Sequence, residues 1–98
     1  MSVDADMGNQ VTINLDERRF EIKVDGVLAG FTEAIEEGDV VTFPHTVVYE
    51  RFEGQGLASE LVTGALDDVR RRGKKVVATC SYVARFISKH PGYADLLA

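Results

Sequence analysis

The chain has 98 residues, which is enough for one small domain and too few for two. Hydrophobic residues make up 45% of it, so a core can form, and the net charge of −5 offers no cationic surface to a nucleic acid. No apolar run approaches the roughly 20 residues that span a bilayer, and the acidic start is unlike a signal peptide. With a single cysteine no internal disulfide can form, and a cytoplasmic protein is expected.

The first 38 residues alternate between polar and apolar side chains, which is typical of half-buried strands. Residues 11–15 and 20–24 form two such runs. Asp25-Gly26 separates the second run from a third, 27–35, and Asp-Gly between alternating runs predicts a hairpin. We therefore expect a three-stranded antiparallel meander. It would be preceded by a frayed tail over 1–10, with one domain over 11–98.

A longer β-rich run covers residues 40–50 and contains Pro44. Proline cannot donate a hydrogen bond to a central ladder, so this position marks a bulge, an edge or a bend. Apolar residues at helical spacing follow, and they predict a helix over 56–72 with one buried face. Gly73 stands where a helix commonly ends.

Residues 74–80 form a short apolar strand, and residues 82–90 form a short amphipathic helix that Pro91 stops. The order of elements is therefore ββββαβα. A strand, a helix and a strand in succession form a crossover unit, so the strands at 40–50 and 74–80 are expected to be parallel. The predicted fold class is α+β, close to α/β, with one mixed, mostly antiparallel sheet and helices on its faces.

A run of basic residues lies at the end of the first predicted helix, at positions 70–75. Cations on a last helical turn complement the partial negative charge of that terminus. We therefore interpret this run as a solvated helix end and not as a nucleic-acid surface.

The glycine turn Gly54-Gln55-Gly56 joins the strand at 40–50 to the helix. A helix N-terminus exposes unpaired N–H groups, and glycines let an anion approach them. The turn matches neither the Walker loop nor the dinucleotide fingerprint. Two interpretations stay open, a phosphate cradle and a plain strand-to-helix turn.

The segment EGQGLASELVTGAL resembles the acetyl-CoA-binding motif of the GCN5-related N-acetyltransferases, which reads Gln/Arg-x-x-Gly-x-Gly/Ala. Gly56 and Ala58 match its fourth and sixth positions. Glu53 stands first, where Gln or Arg is usual. A register that begins at Arg51 restores the basic residue but shifts the turn. The first register is preferred because it keeps the helix face beginning at Leu57.

The C-terminal segment resembles the family's Asn-x-x-Ala-x-x-Phe-Tyr-x-Lys-x-Gly-Phe pattern. Cys80 takes the Asn position, and Ile87 takes the place of the Tyr that often serves as the general acid. Most of the chain resembles the family's short single-domain branch, in which the two helices that usually follow the first strand are absent.

This resemblance implies an acetyl-CoA-dependent N-acetyltransferase with an unidentified amine acceptor. The strand before the glycine turn would pair with the pantetheine arm through Val47, Val48 and Tyr49. Arg85 and Lys89, four residues apart on the last helix, would meet the 3′-phosphate or remain solvated. The pyrophosphate would be held by the amides of Gln55, Gly56, Leu57, Ala58 and Ser59.

Transfer also requires a group that takes the proton of the amine and one that protonates the leaving thiolate. His45 is a candidate base, since imidazole suits that role, or it is structural beside the proline. Cys80 is a candidate nucleophile, a thiol acid or an inert buried cysteine. Tyr82 is a weaker candidate acid, and no metal site is predicted. Two further interpretations stay open, a non-catalytic coenzyme A-binding module and a plain interaction domain.

Overall fold

Two separate sheets form the framework of the computed structural model, which describes residues 8–98. The elements are β1 (Asn9–Asn14), β2 (Arg19–Val24), β3 (Val27–Glu33), β4 (Ile35–Glu37), β5 (Val40–Phe43), β6 (Thr46–Val48), α1 (Leu57–Arg71), β7 (Lys75–Ala78) and α2 (Ser81–Lys89). The first sheet has the order β1-β2-β3-β6 and the second has the order β4-β5-β7. The α+β class is confirmed, and the prediction of one continuous sheet is wrong.

The predicted meander is present as β1, β2 and β3, which pair antiparallel in sequence. Asp25 and Gly26 form the turn between β2 and β3 with positive φ angles of 49° and 84°. Such a turn matches the twist of the flanking strands, which is why Asp-Gly signals it. β1 begins at Asn9, two residues earlier than predicted, and the rest of the predicted tail, residues 1–7, lies outside the described residues.

The third predicted strand is two strands, because the chain bends at Ala34. The amide of Ala34 donates to the carbonyl of Arg18 at 2.9 Å, which adds one last bond to the register of β2 and β3. Residues 35–37 then pair with β5 in the second sheet. This bend carries the chain from one sheet to the other.

The long run at 40–50 also divides, and the break falls at Pro44. β5 before it pairs parallel with β7, as predicted for the crossover unit. β6 after it pairs antiparallel with β3, so the parallel prediction is wrong for this part of the run. Residues 50–52 form a short 3₁₀ turn instead of continuing the strand.

The apolar face of α1 forms the centre of the core, as its spacing predicts. Its buried residues are Leu57, Leu61, Val62, Ala65, Leu66 and Val69. Gly73 follows the helix with a φ of 70°, and its amide donates to the carbonyl of Arg70. Within residues 8–98, neither helix is long and apolar enough to cross a membrane.

The basic run at the end of α1 is paired with nearby acids. Arg72 binds Glu36 of β4 at 2.7 Å and Asp68 of its own helix at 2.8 Å. Arg70 binds Asp95 of the C-terminal segment at 2.9 Å. These cations therefore link α1 to the second sheet and to the chain end, which agrees with their interpretation as a helix end.

Candidate functional site

The glycine turn adopts a backbone that other residues rarely take. Gly54 and Gly56 have φ angles of 83° and 73°. A Cβ placed on either would meet no atom within 4 Å, so space alone does not exclude a side chain. Glycine is required there by the left-handed conformation, and it also leaves the approach to the turn open.

The start of α1 has free backbone donors. Gly56 is the N-cap residue and provides no side-chain cap, while the amide of Glu60 closes the first turn on the carbonyl of Gly56 at 3.3 Å. Within the described residues, the amides of Leu57, Ala58 and Ser59 therefore have no acceptor. Three free amides at a helix N-terminus, with the partial positive charge of that end, suit an anion.

The two sheets separate directly beside this helix start. The ladder between β5 and β7 reaches Phe43 and Ala78, and the amide of Cys80 adds a last bond to the carbonyl of Phe43 at 2.8 Å. Beyond Pro44 the chain turns away to β3. The strands therefore separate after Phe43, and β6 forms the edge of the first sheet that borders the gap.

Tyr49 cannot pair through its backbone as predicted. Its amide donates to the carbonyl of Ala29 at 2.8 Å, and its carbonyl accepts from the amide of Phe52 at 2.8 Å. Both backbone groups are thus already bonded within the chain. Its side chain is 37% exposed and contacts the ring of Phe31.

The free edge of β6 is limited to alternate residues. His45 and Tyr49 bond to β3 through their backbones. Because backbone groups in an antiparallel pair face the partner at every second residue, Val47 also faces β3, while Thr46 and Val48 face the open edge. Of the three residues predicted to pair with a pantetheine arm, only Val48 presents its backbone there.

Cys80 lies where the two sheets meet, at the N-cap of α2, and is 9% exposed. Its Sγ lies 3.5 Å from the hydroxyl of Thr46, and that hydroxyl lies 2.9 Å from the hydroxyl of Thr32. Burial by itself raises the pKa of the thiol. The hydroxyl of Thr46 and the amides of Val83, Tyr82 and Thr46 outweigh it, so the pKa is lowered.

The structure does not bring His45 and Cys80 together as a pair. His45 is exposed, and its imidazole faces the ring of Phe31 at a centroid distance of 6.5 Å. Successive side chains of a strand point to opposite faces, so the imidazole lies on the outer face of the first sheet while the Thr46 hydroxyl points inward to Cys80. The two candidate groups therefore lie on opposite faces of β6.

The remaining candidates lie on α2. The Tyr82 side chain is half-buried against the core. Arg85 and Lys89 are exposed, and within the described residues neither forms a salt bridge. Ile87 is 3% exposed and belongs to the core. The position at which the family often carries its acid is therefore a packing position here.

Thr32 and Thr46 were not predicted as members of the site. Thr32 pairs with Phe20 across β2 and β3, so it occupies an inward-facing position and is fully buried. A threonine at an inward-facing position of an alternating strand is the sequence signal that could have identified this buried hydroxyl. Thr46 can be identified as the neighbour of Thr32 only from the register of β3 and β6.

Comparison with known proteins gives a family match over most of the chain. The model of the GCN5-related N-acetyl-transferase family matches residues 19–96. Protein NATD1 of Bos taurus is 33% identical over 52 residues, which cover 53% of this chain and 46% of that protein, so the match spans about half its length. Protein NATD1 of Xenopus tropicalis is 26% identical over 92% of this chain and 84% of that protein.

A solved structure shows the same fold. The NMR structure of a GCN5-like protein from Staphylococcus aureus superposes with a TM-score of 0.69 and 20% sequence identity, over 91% of this chain and 87% of that one. At this identity the likeness concerns the fold alone. The overall fold described above is thus shared with a known structure.

Proposed function

Because the chain belongs to the GCN5-related N-acetyltransferase family, we propose that it transfers an acetyl group from acetyl-CoA to an amine. The observation that carries the proposal is the uncapped start of α1, where the amides of Leu57, Ala58 and Ser59 are free beside an open glycine turn. A pyrophosphate fits this donor set, because it needs several N–H groups and no side chain between them and the anion.

We assign the other coenzyme contacts to the separation between the sheets. The pantetheine arm would pair with the backbone of Val48 at the open edge of β6, and Gln55 and Gly56 would extend the amide cradle. Arg85 and Lys89 are exposed cations on α2 that form no salt bridge within residues 8–98, which suits a terminal phosphate. The amine acceptor remains unspecified in this proposal.

The proton transfers divide between the two faces of β6. His45, exposed on the outer face, would take the proton of the amine. Cys80, on the inner face, would act on the sulfur side, because its surroundings stabilise the thiolate and its thiol can release a proton. It would either protonate the departing thiolate of coenzyme A or accept the acetyl group itself. Tyr82, next to the N-cap, is the second candidate acid.

Binding and turnover are measured separately to test the proposal. Acetyl-CoA is added to the folded protein and the melting temperature followed, since a ligand at about 100 times its Kd stabilises by roughly 2.7 kcal/mol. Thiol release is then followed with a panel of small amines and peptides. A melt that acetyl-CoA leaves unchanged would defeat the proposal.

The single cysteine lets intact mass separate the two roles of Cys80. Protein mixed with acetyl-CoA and no amine should gain one acetyl group if Cys80 is the nucleophile, and Cys80→Ala should not. If wild type turns over without this intermediate and Cys80→Ala is slower, the acid role is supported. Turnover by Cys80→Ala at the wild-type rate would leave Cys80 without a catalytic role, and the same holds for His45→Ala.

A second candidate function is a coenzyme A-binding module without catalysis. The burial of Ile87 favours it, because the position of the family's usual acid is part of the core. If acetyl-CoA stabilises the protein but releases no thiol with any amine of the panel, this alternative is selected.

A further inference from the structure

Two hydroxyls, one half-buried and one fully buried, lie behind the sulfur of Cys80. Thr32 is fully buried in β3, although a threonine in a core costs free energy unless its hydroxyl is bonded. Its Oγ1 lies 2.9 Å from Oγ1 of Thr46 and 3.4 Å from the carbonyl of His45. Thr46 in turn reaches Cys80 Sγ at 3.5 Å. A continuous chain thus runs from the sulfur to a backbone carbonyl.

Thr46 acts on the sulfur through its hydroxyl and its backbone. The hydroxyl lies 3.5 Å from Cys80 Sγ, and the amide, which faces the open edge of β6, helps to lower the pKa of the thiol. The other donors are the amides of Tyr82 and Val83 in the first turn of α2. Every group that influences the thiol is a neutral donor, and the titratable imidazole of His45 lies on the opposite face of the strand.

The direction of this chain can reverse without movement of heavy atoms. With a protonated thiol, Cys80 donates to Thr46, Thr46 donates to Thr32, and Thr32 donates to the carbonyl of His45. With a thiolate, the Thr46 hydroxyl turns to donate to the sulfur and the Thr32 hydroxyl turns to donate to Thr46. Each hydroxyl has one rotatable proton and free lone pairs, so both arrangements are complete.

We propose that Thr46 and Thr32 are positioning residues for Cys80, forming a reversible two-hydroxyl chain that supports its sulfur both with and without a proton. The inference rests on the proposed function for its catalytic meaning, because a sulfur acting on acetyl-CoA must change its protonation state. A valine in either position would fit the same volume and remove the chain.

The test is a pH titration of the thiolate by ultraviolet absorbance in the folded protein. Cys80 is the single cysteine, and the spectrum of Cys80→Ser is subtracted because the three tyrosines also absorb when ionised. Thr46→Val should lower the acid-dissociation constant of the thiol about tenfold, since a donor to a charged acceptor is lost. Thr46→Ser should restore the wild-type curve.

Thr32→Val should shift the curve in the same direction by about twofold to threefold, because it acts on the sulfur only through Thr46. Thr42→Val is the matched control: it changes a threonine of β5 that has no hydrogen bond to Cys80 within the described residues, and the titration should not change. If Thr46→Val does not fold, Thr32→Val decides the question alone.

A wild-type titration for Thr32→Val, or a Thr46→Ser curve equal to that of Thr46→Val, would overturn the inference. The titration uses no coenzyme and no amine, so its outcome is independent of whether the protein transfers acetyl groups. If Thr46→Val shifts the titration while the wild-type protein shows no turnover, the hydroxyl chain is supported and the proposed function is rejected.

Discussion

Replacement of Gly56 by alanine should weaken coenzyme A binding at the proposed anion cradle without unfolding the protein. The residue has a φ of 73°, and an L side chain in the left-handed region costs roughly 1–2 kcal/mol. For a domain of this size that corresponds to a loss of about 4–16 °C in melting temperature. The added methyl would project into open space, with no atom within 4 Å, and in the proposed cradle this space would hold the anion.

The substitution should weaken coenzyme A binding more than it lowers the stability of the fold. If the alanine keeps the left-handed conformation, its methyl occupies the cradle. If it leaves that conformation, the first amides of α1 turn away. Either outcome removes at least one charge-assisted hydrogen bond, of about 1.5–3 kcal/mol, so the Kd for coenzyme A should rise roughly 10- to 100-fold.

Gly38 supplies the matched control, because the turn between β4 and β5 places it at a φ of 60° and a Cβ there also meets no atom within 4 Å. Gly38→Ala should melt lower by a similar amount and bind coenzyme A as the wild type does. Isothermal titration on both variants, beside thermal melts, measures the two quantities. Equal Kd values for the wild type and Gly56→Ala would refute the cradle, and an equal loss in Gly38→Ala would show that the effect is global.

Three further predictions concern the scaffold. Gly30→Ala would place a Cβ 2.4 Å from the carbonyl oxygen of Val47. Because a backbone atom cannot move aside as a side chain can, we expect the free energy of unfolding to fall by at least about 1–3 kcal/mol in a denaturant titration. A variant as stable as the wild type would show that β6 adjusts freely. Leu61→Ala empties a fully buried position in α1 and should cost roughly 2–5 kcal/mol in the same titration, whereas a loss under 1 kcal/mol would show that the core collapses onto the cavity. The hydrogen bond from Arg72 lowers the pKa of Glu36. The pair therefore stabilises the fold at any pH above the ordinary carboxylate pKa, and this contribution is lost as the pH falls through the lowered pKa. Arg72→Met should make the free energy of unfolding depend less steeply on pH in the acid range, and an unchanged pH dependence would contradict the assignment.

Local signals in the sequence predicted the elements that local chemistry determines. The hairpin at Asp25-Gly26 depends on the backbone preferences of two adjacent residues, and the buried face of α1 depends on a helical period. The two strand breaks depend on distant partners. Residues 35–37 leave the first sheet to pair with β5, a partner that local sequence does not specify, and a proline at position 44 is equally compatible with a bulge, an edge or a bend.

The same distinction applies to the site. The glycine turn and the helix start are adjacent in the chain, so their pattern could be recognised. The hydrogen bond between Cys80 and Thr46 joins residues 34 positions apart, and the contact between Thr46 and Thr32 needs the register of two strands. The bond from the Tyr49 amide to Ala29 likewise follows from strand pairing that no local pattern reveals.

The missing cap of α1 has a thermodynamic consequence for the whole protein. A capping side chain at this position stabilises a helix by roughly a few tenths of a kcal/mol more than the glycine that this chain has there. Whatever anion binds there completes the helix, so occupancy and order in the first turn become one equilibrium. Amide hydrogen exchange at residues 57–59 should therefore slow as the free concentration of the ligand rises, and the free energy of unfolding should rise with the logarithm of that concentration.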